Sequence, residues 1–408
     1  MLRNLERALT SDEPVSSVEV RKTLLEDEVI DAIINLVWKG SVEKVYLDDC
    51  GAHLNKPAVR MSEALGNCKH VHLSESTFLS KFFLESLLVS ATKMRSLRIQ
   101  DSLLSEQVEA LTKGLRSNNT LRTLDLSRSR VENFFLLAKG LRGSCAKTLK
   151  LRSIGLQNHH VEFLLSSLES CPSLESLDLS FNYLQDTSPI GRLLRNNNCK
   201  LKELQIGYQN LWQEYRMDIS AISKALTVNK RLKTLDLPRN ELDDSCALGF
   251  GTALAKNCTL ENLDIRENNI TDFGVTVLAE TAMTSKSLRK LKLGSNPFGT
   301  IGSLALLEAV SKNYNLFEID GNSKVNDEDI NRHMNYHTIL NRGGRKLLLE
   351  EPPLALWPCV IGNSCQDLHE NVDVDAEATI AKGNKYDINV SADLIFYVLR
   401  QNPRIFFH

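Results

Sequence analysis

Two pairs of histidines are the first residues whose type and spacing suggest chemistry. His70 and His72 alternate onto one face of an apolar-polar segment, and His333 and His337 stand one helical turn apart. Either pair could give two imidazoles to a metal, but no third ligand stands in a matching position, and zinc needs three or four. His159-His160 offers less. Gly249-Phe250-Gly251 lacks the third glycine of a dinucleotide loop, and Gly343-Gly344-Arg345-Lys346 lacks the spacing of a phosphate loop. No GxSxG, no HExxH and no Cys/His pairing with an orienting group is present. The sequence reads as non-enzymatic, with no metal and no cofactor.

A second class of residue suits recognition instead. Phe181, Tyr208, Trp212, Asp236, Arg239, Asp264 and Arg266 fall on or just beyond short apolar segments, where an aromatic ring beside an arginine has the character of an interface anchor. Charges on an exposed sheet are usually solvated, and Asp between two leucines is a common filler. Phe181 and Tyr208 carry more weight, because they occupy the same place in successive copies of one phrase. The interval from Leu201 to Leu232 is three residues longer than its neighbours, and Trp212 and Tyr215 lie near the extra residues, where an insertion loops out.

The phrase is apolar, two variable, apolar, one variable, apolar, two variable, then often Asn. Leu174 to Asn182 is a clear copy. Leu232 to Asn240, Leu260 to Asn268 and Leu288 to Asn296 repeat it at intervals of 28 residues from one to the next. Val42, Cys68, Met94, Leu121, Ala146, Leu201 and Leu316 open the others, and Val15 opens a degenerate copy at the front. Between copies runs a helical rhythm, as in Ile270, Gly274, Val277, Leu278 and Ala282, with Asp272 as the expected N-cap. Asn at the end of the phrase can bond backbone groups where the chain leaves the strand. Cys50, Ser76, Ser102, Ser129 and Ile154 replace it in earlier copies, which predicts a less regular N-terminal half.

These phrases resemble the leucine-rich repeats of the ribonuclease-inhibitor-like group, which also contains Ran GTPase-activating proteins and the recognition arrays of intracellular immune receptors. The resemblance covers about residues 15 to 325. It implies an α/β, right-handed solenoid (a horseshoe) with a parallel sheet on the concave face and helices on the convex face. The spacing of strands, roughly 4.8 Å, against that of helices, about 8 to 10 Å, bends such a stack toward its sheet. Residues 1–41 would form a helical cap with the degenerate first repeat, 42–325 the array of about eleven repeats, and 326–408 a C-terminal cap with a mobile loop at 363–391. LNRGGR, PPLALWP and FYVLRQNP are similar to a tail of uncharacterised leucine-rich-repeat proteins of microalgae.

The resemblance implies a protein-interaction scaffold or regulatory subunit that holds a partner protein on the concave face. The alternative it implies is a GTPase-activating protein for a Ran-like small GTPase, with Arg128, Arg239 or Arg266 in reach after a strand. Composition narrows the partners. With 49 basic and 51 acidic side chains the chain has no global field for a phosphate backbone, so nucleic acid is not expected, and a small-molecule ligand is not either. No stretch approaches the ~18 apolar residues of a membrane span. Nine cysteines without a CxxC pair, and a charged start without an apolar signal core, point to a reducing cytoplasm or nucleus. Sequons at Asn118, Asn257, Asn269 and Asn389 fit chance in an Asn-rich chain.

Overall fold

A computed structural model describes residues 2–346, apart from 12, 53–55, 77–78, 105, 210–215 and 321–327. Trp212, the expected loop at 363–391 and the apolar tail segments therefore lie outside the described residues. The chain divides into two units, Met1–Asn240 and Glu241–His408.

In the first unit, strands alternate with helices along the chain. The strands are β1 (Ser17–Leu25), β2 (Lys44–Ala52), β3 (His70–Ser74), β4 (Ser96–Gln100), β5 (Leu103–Leu104), β6 (Thr123–Asp125), β7 (Arg130–Val131), β8 (Thr148–Lys150), β9 (Ser176–Asp178), β10 (Glu203–Gln205) and β11 (Thr234–Asp236). All but β5 and β7 join one parallel sheet in chain order. Helices α1 (Leu2–Thr10), α2 (Asp27–Trp38), α3 (Lys56–Leu65), α4 (Lys81–Ser90), α5 (Gln107–Ser117), α6 (Phe134–Leu141), α7 (Asn158–Leu168), α8 (Ser188–Arg195) and α9 (Ser220–Leu226) fill the intervals. The second unit repeats the scheme with α10 (Asp244–Leu254), β12 (Asn262–Asp264), α11 (Asp272–Thr284), β13 (Lys290–Lys292), α12 (Thr300–Lys312), β14 (Glu318–Asp320) and α13 (Glu328–Arg342). This is a solenoid of parallel strand–helix repeats.

Every strand of the main sheet opens two residues after the first apolar residue of its phrase, from Val15 before β1 to Leu316 before β14. The two apolar residues that follow point inward. Leu97, Ile99, Leu124, Leu126, Leu149, Leu151, Leu177, Leu179, Leu204, Ile206, Leu235 and Leu237 are all at most 1% exposed. Cutting any one of them to Ala leaves a cavity costing about 2 to 5 kcal/mol. The degenerate copy is not weak: β1 pairs with β2 from Ser17↔Lys44 to Leu25↔Ala52.

Small residues set how closely the helices approach. A Cβ on Gly114 would fall 2.4 Å from Leu88 Cδ1, and one on Gly140 would fall 2.7 Å from Thr112 Cα. At the helix exits a second asparagine recurs. Asn118 donates to the carbonyls of Leu88 and Ala91 and accepts from the N–H groups of Thr120 and Leu121. Asn257 accepts likewise from Thr259 and Leu260. Both are buried, which leaves no amide nitrogen for a glycan.

One local expectation needs correcting. Thr271, not Asp272, occupies the N-cap of α11. Asp272 stands one residue inside the helix, and its Oδ1 accepts the N–H groups of Gly299 and Gly302 from the next repeat, at 2.9 and 2.6 Å. Asp244 does the same for Thr271 and Gly274. These aspartates tie repeat to repeat rather than capping their own helix.

Candidate functional site

The outward side chains of the first unit fall into rows that cross the strands. The central row runs Glu19, Tyr46, His72, Arg98, Asp125, Lys150, Asp178, Gln205 and Asp236, each in register with the next. Its aspartates are partly spent on the fold. Asp125 is 2% exposed, accepts the Ser127 N–H at 3.0 Å, and meets Arg98 Nε at 3.0 Å. Asp178 accepts the Ser180 N–H at 2.9 Å. A carboxylate folding back on an N–H two residues later turns the chain out of the strand, which is why Asp recurs here. Asp236 is half-buried at the end of the row.

Beyond the strands lies a second row, in which the backbone is left-handed at side chains other than glycine. Asp101, Arg128, Ser153, Phe181, Tyr208 and Arg239 have φ between 51° and 61°. Each such residue costs about 1 to 2 kcal/mol. The frame offsets part of that cost by continuing the sheet: the Phe181 N–H donates to Gly207 O at 3.0 Å, and the Tyr208 N–H donates to Pro238 O at 2.7 Å.

This row brings Phe181 and Tyr208 together. Their rings stack 4.4 Å apart and 9° from parallel, and the guanidinium of Arg152 lies 4.0 Å from the Phe181 ring centre. Adjacent repeats sit roughly 4.8 Å apart, so flat side chains at equivalent places meet at stacking distance without rearrangement. Cation–π contact at such a half-exposed site contributes about 0.5 to 1 kcal/mol. The Arg152 contact was not legible in the sequence, because Arg152 stands one place earlier in its own repeat than Phe181 does.

The arginines after strands differ. Arg128 is clamped by Asp101 of the preceding repeat, Nε to Oδ1 at 2.8 Å and Nη2 to Oδ2 at 2.6 Å. Arg239 is exposed, and its side chain makes no hydrogen bond or ion pair among the described residues. In the second unit, Arg266 forks onto Asp264 of its own strand, Nε to Oδ1 at 3.0 Å and Nη2 to Oδ2 at 2.7 Å, so these two charges offset each other.

The histidines are held in ways that suit packing. Burial, then the charge of Arg98, pushes His72 below its usual range, and Tyr46 meets it edge-on with centroids 5.9 Å apart. Burial and the neighbouring Arg345 push His337 down to about 4. Among the described residues no group of three or more His, Cys, Asp or Glu is placed to hold a metal ion. The described cysteines, including buried Cys50, Cys68, Cys171, Cys199 and Cys246, are free thiols, and burial pushes Cys68 up to about 12. No described helix is long and apolar enough to cross a membrane.

The sequence is similar to known proteins. A leucine-rich-repeat family profile matches residues 170–188 and 256–279. Mouse ribonuclease inhibitor is 26% identical over 73% of this chain and 70% of its own length. The chain carries leucine-rich repeats and is similar to ribonuclease inhibitors. Pig ribonuclease inhibitor is 29% identical over 50% of the chain, which spans 46% of that protein. Human NACHT, LRR and PYD domains-containing protein 3 is 30% identical over 59% of the chain, which spans only 22% of it. Among solved structures, an internalin of Listeria monocytogenes aligns over 78% of this chain and 94% of its own, with 16% identity and a TM-score of 0.45. Two of these relatives are named for inhibiting another protein, a ribonuclease.

Proposed function

We propose that this leucine-rich-repeat protein is a non-enzymatic interaction scaffold or regulatory subunit that grips a partner protein on the open face of its sheet. The nine-strand sheet of the first unit would bend inward, because strands pack more closely than the helices behind them. The resulting hollow face, right-handed in its winding, would present the central row and the turn row together. Within the first unit the anchor would be the Arg152–Phe181–Tyr208 stack with Arg239 and Asp236 beside it; in the second unit, Asp264 and Arg266 are separate candidates for partner contact. The observation that carries this reading is the stack itself. Two aromatic rings are held half-exposed and parallel, on backbone positions that would be easier for glycine. Free, buried thiols support a reducing compartment, cytoplasm or nucleus.

The experiment is affinity purification of the full chain followed by mass spectrometry, run beside Phe181→Ala/Tyr208→Ala and Arg239→Ala variants. A partner recovered with the parent chain should be lost with the aromatic double variant. Equal recovery from all three would sink the assignment. Activation of a Ran-like small GTPase is the second reading, and one observation favours it. Arg239 stands exposed after a strand with no carboxylate on it among the described residues, unlike Arg128 and Arg266. GTP hydrolysis stimulated by the chain, and lost in Arg239→Ala, would promote this reading over the first.

A further inference from the structure

The residue just before each strand makes a third row, on the edge of the sheet opposite the aromatic stack. Backbone bonds fix its order. The Arg95 N–H donates to Lys69 O, Arg122 to Arg95, Lys147 to Arg122, Glu175 to Lys147, Lys202 to Glu175 and Lys233 to Lys202, all at 2.7 to 2.8 Å. Six cations therefore stand in line from β3 to β11, interrupted by Glu175 alone. Glu43, one rung ahead of the line, neutralises Lys69, and Glu175 is shared between Lys147 at 3.0 Å and Lys202 at 2.6 Å. Arg95 is exposed and has no ion pair among the described residues, while Arg122 reaches only the carbonyls of Asn119 and Cys145. Among the described residues, no carboxylate of the row meets Arg95 or Arg122. Basic residues here also complement the C-terminal ends of nearby helices, but that effect fades within a helical turn and would not require one cation per repeat.

We infer that this edge binds an extended acidic segment of a protein, laid across the strands. Seven strands at roughly 4.8 Å give a line of about 29 Å, which an extended peptide covers with about nine residues. The next row inward adds half-buried hydroxyls at Ser96, Thr123, Thr148 and Ser176, able to donate to carboxylates, before the row reaches exposed Glu203 on β10. Nucleic acid fits less well. From Ser96 to Thr234 that inner row holds no aromatic ring for a base to stack on, and the chain as a whole carries a net charge of -2.

The test is fluorescence anisotropy with the full chain and three labelled probes. They are an alternating Glu-Ser peptide of about ten residues, its Lys-Ser counterpart, and an oligothymidylate of similar length. The Glu-Ser peptide should bind, weakening about tenfold or more between about 50 and about 200 mM salt, and the Lys-Ser peptide should not. Arg95→Glu should weaken binding about tenfold, and Arg95→Glu/Arg122→Glu further, with unchanged thermal unfolding of the single variant as the check on folding. Arg130→Glu, beyond the opposite edge, should leave binding intact, as should Phe181→Ala/Tyr208→Ala. The latter separates this edge from the anchor proposed above. Absent Glu-Ser binding, indifference to Arg95→Glu, or tighter binding of the oligothymidylate would each overturn the inference.

Discussion

The front and rear of the first unit solve one problem with different atoms. Where the chain leaves each strand, a side chain must reach back to the preceding repeat. In the rear, Asn182 donates to Leu151 O at 2.9 Å and Leu179 O at 2.8 Å, and accepts the N–H groups of Ile154 and Leu156. Gln209 and Asn240 do equivalent work. In the front, Ser129 donates only to Ile99 O at 3.0 Å and accepts from Ser102, while Cys50 offers Val20 O a weak thiol. An amide can donate twice and accept twice; a hydroxyl donates once. Both halves add short parallel pairings beyond the strands, the front at β5 and β7, where Leu103 pairs with Arg130, and the rear at Gln157 with Tyr183. The front is also where this unit's buried side-chain atoms without a partner among the described residues lie: His72 Nε2 in β3 and Gln107 Oε1 at the start of α5. A repeat can thus lose its asparagine and keep its fold, at a cost in local satisfaction.

The sharpest way to break this comparison is Asn182→Ala. It strands two N–H groups and two carbonyls in a buried turn, and the loss should be on the order of 3 to 5 kcal/mol. Hydrogen exchange at Ile154 and Leu156 should accelerate before that of the flanking helices. Ser129→Ala removes one donor, and its cost should be about 1 to 2 kcal/mol. Denaturant titration of both variants compares them directly. Equal losses would mean that the amide confers no advantage and that the front is as tightly held as the rear.

Much of this was legible from the leucines. Their spacing placed every strand of the main sheet, because inward positions must be apolar and a slip of one residue would turn them outward. The equivalence of Phe181 and Tyr208 likewise placed them side by side. What sequence could not supply were interactions that cross repeats at unequal positions. Asp272 looks like a cap by local rules and becomes a tie to Gly299 only when the next helix is stacked on it. Arg152 reaches Phe181 from a different place in its repeat. The line of cations before the strands was visible residue by residue, yet it acquires meaning only once backbone bonds put those residues in order.

A smaller effect isolates the price of the turn row. Phe181→Ala keeps a Cβ at φ 60° and forfeits both the stack and the Arg152 contact. Phe181→Gly forfeits the same contacts but relieves the left-handed strain. The glycine variant should therefore be the more stable of the two by about 1 kcal/mol, although neither retains the ring. The reverse order in thermal unfolding would show that the backbone at this position carries no strain.

The smallest expected effect lies in the front and concerns pH. His72 is held below its usual range, chiefly by burial and next by Arg98, so the folded chain keeps the ring neutral where an unfolded chain would protonate it. As pH falls below about 6.5, the unfolded state gains protons first, and stability drains away until the folded ring also titrates. Above that pH the contribution is fully present. His72→Gln removes the titration, so its stability should fall less between about pH 7 and about pH 5 than that of the parent chain. A partner for Nε2, had the front possessed one, would favour whichever protonation state it bonded and change this profile. Parallel pH profiles for the two chains would mean that His72 pays no penalty for its burial, and that the front is as well satisfied as the rear.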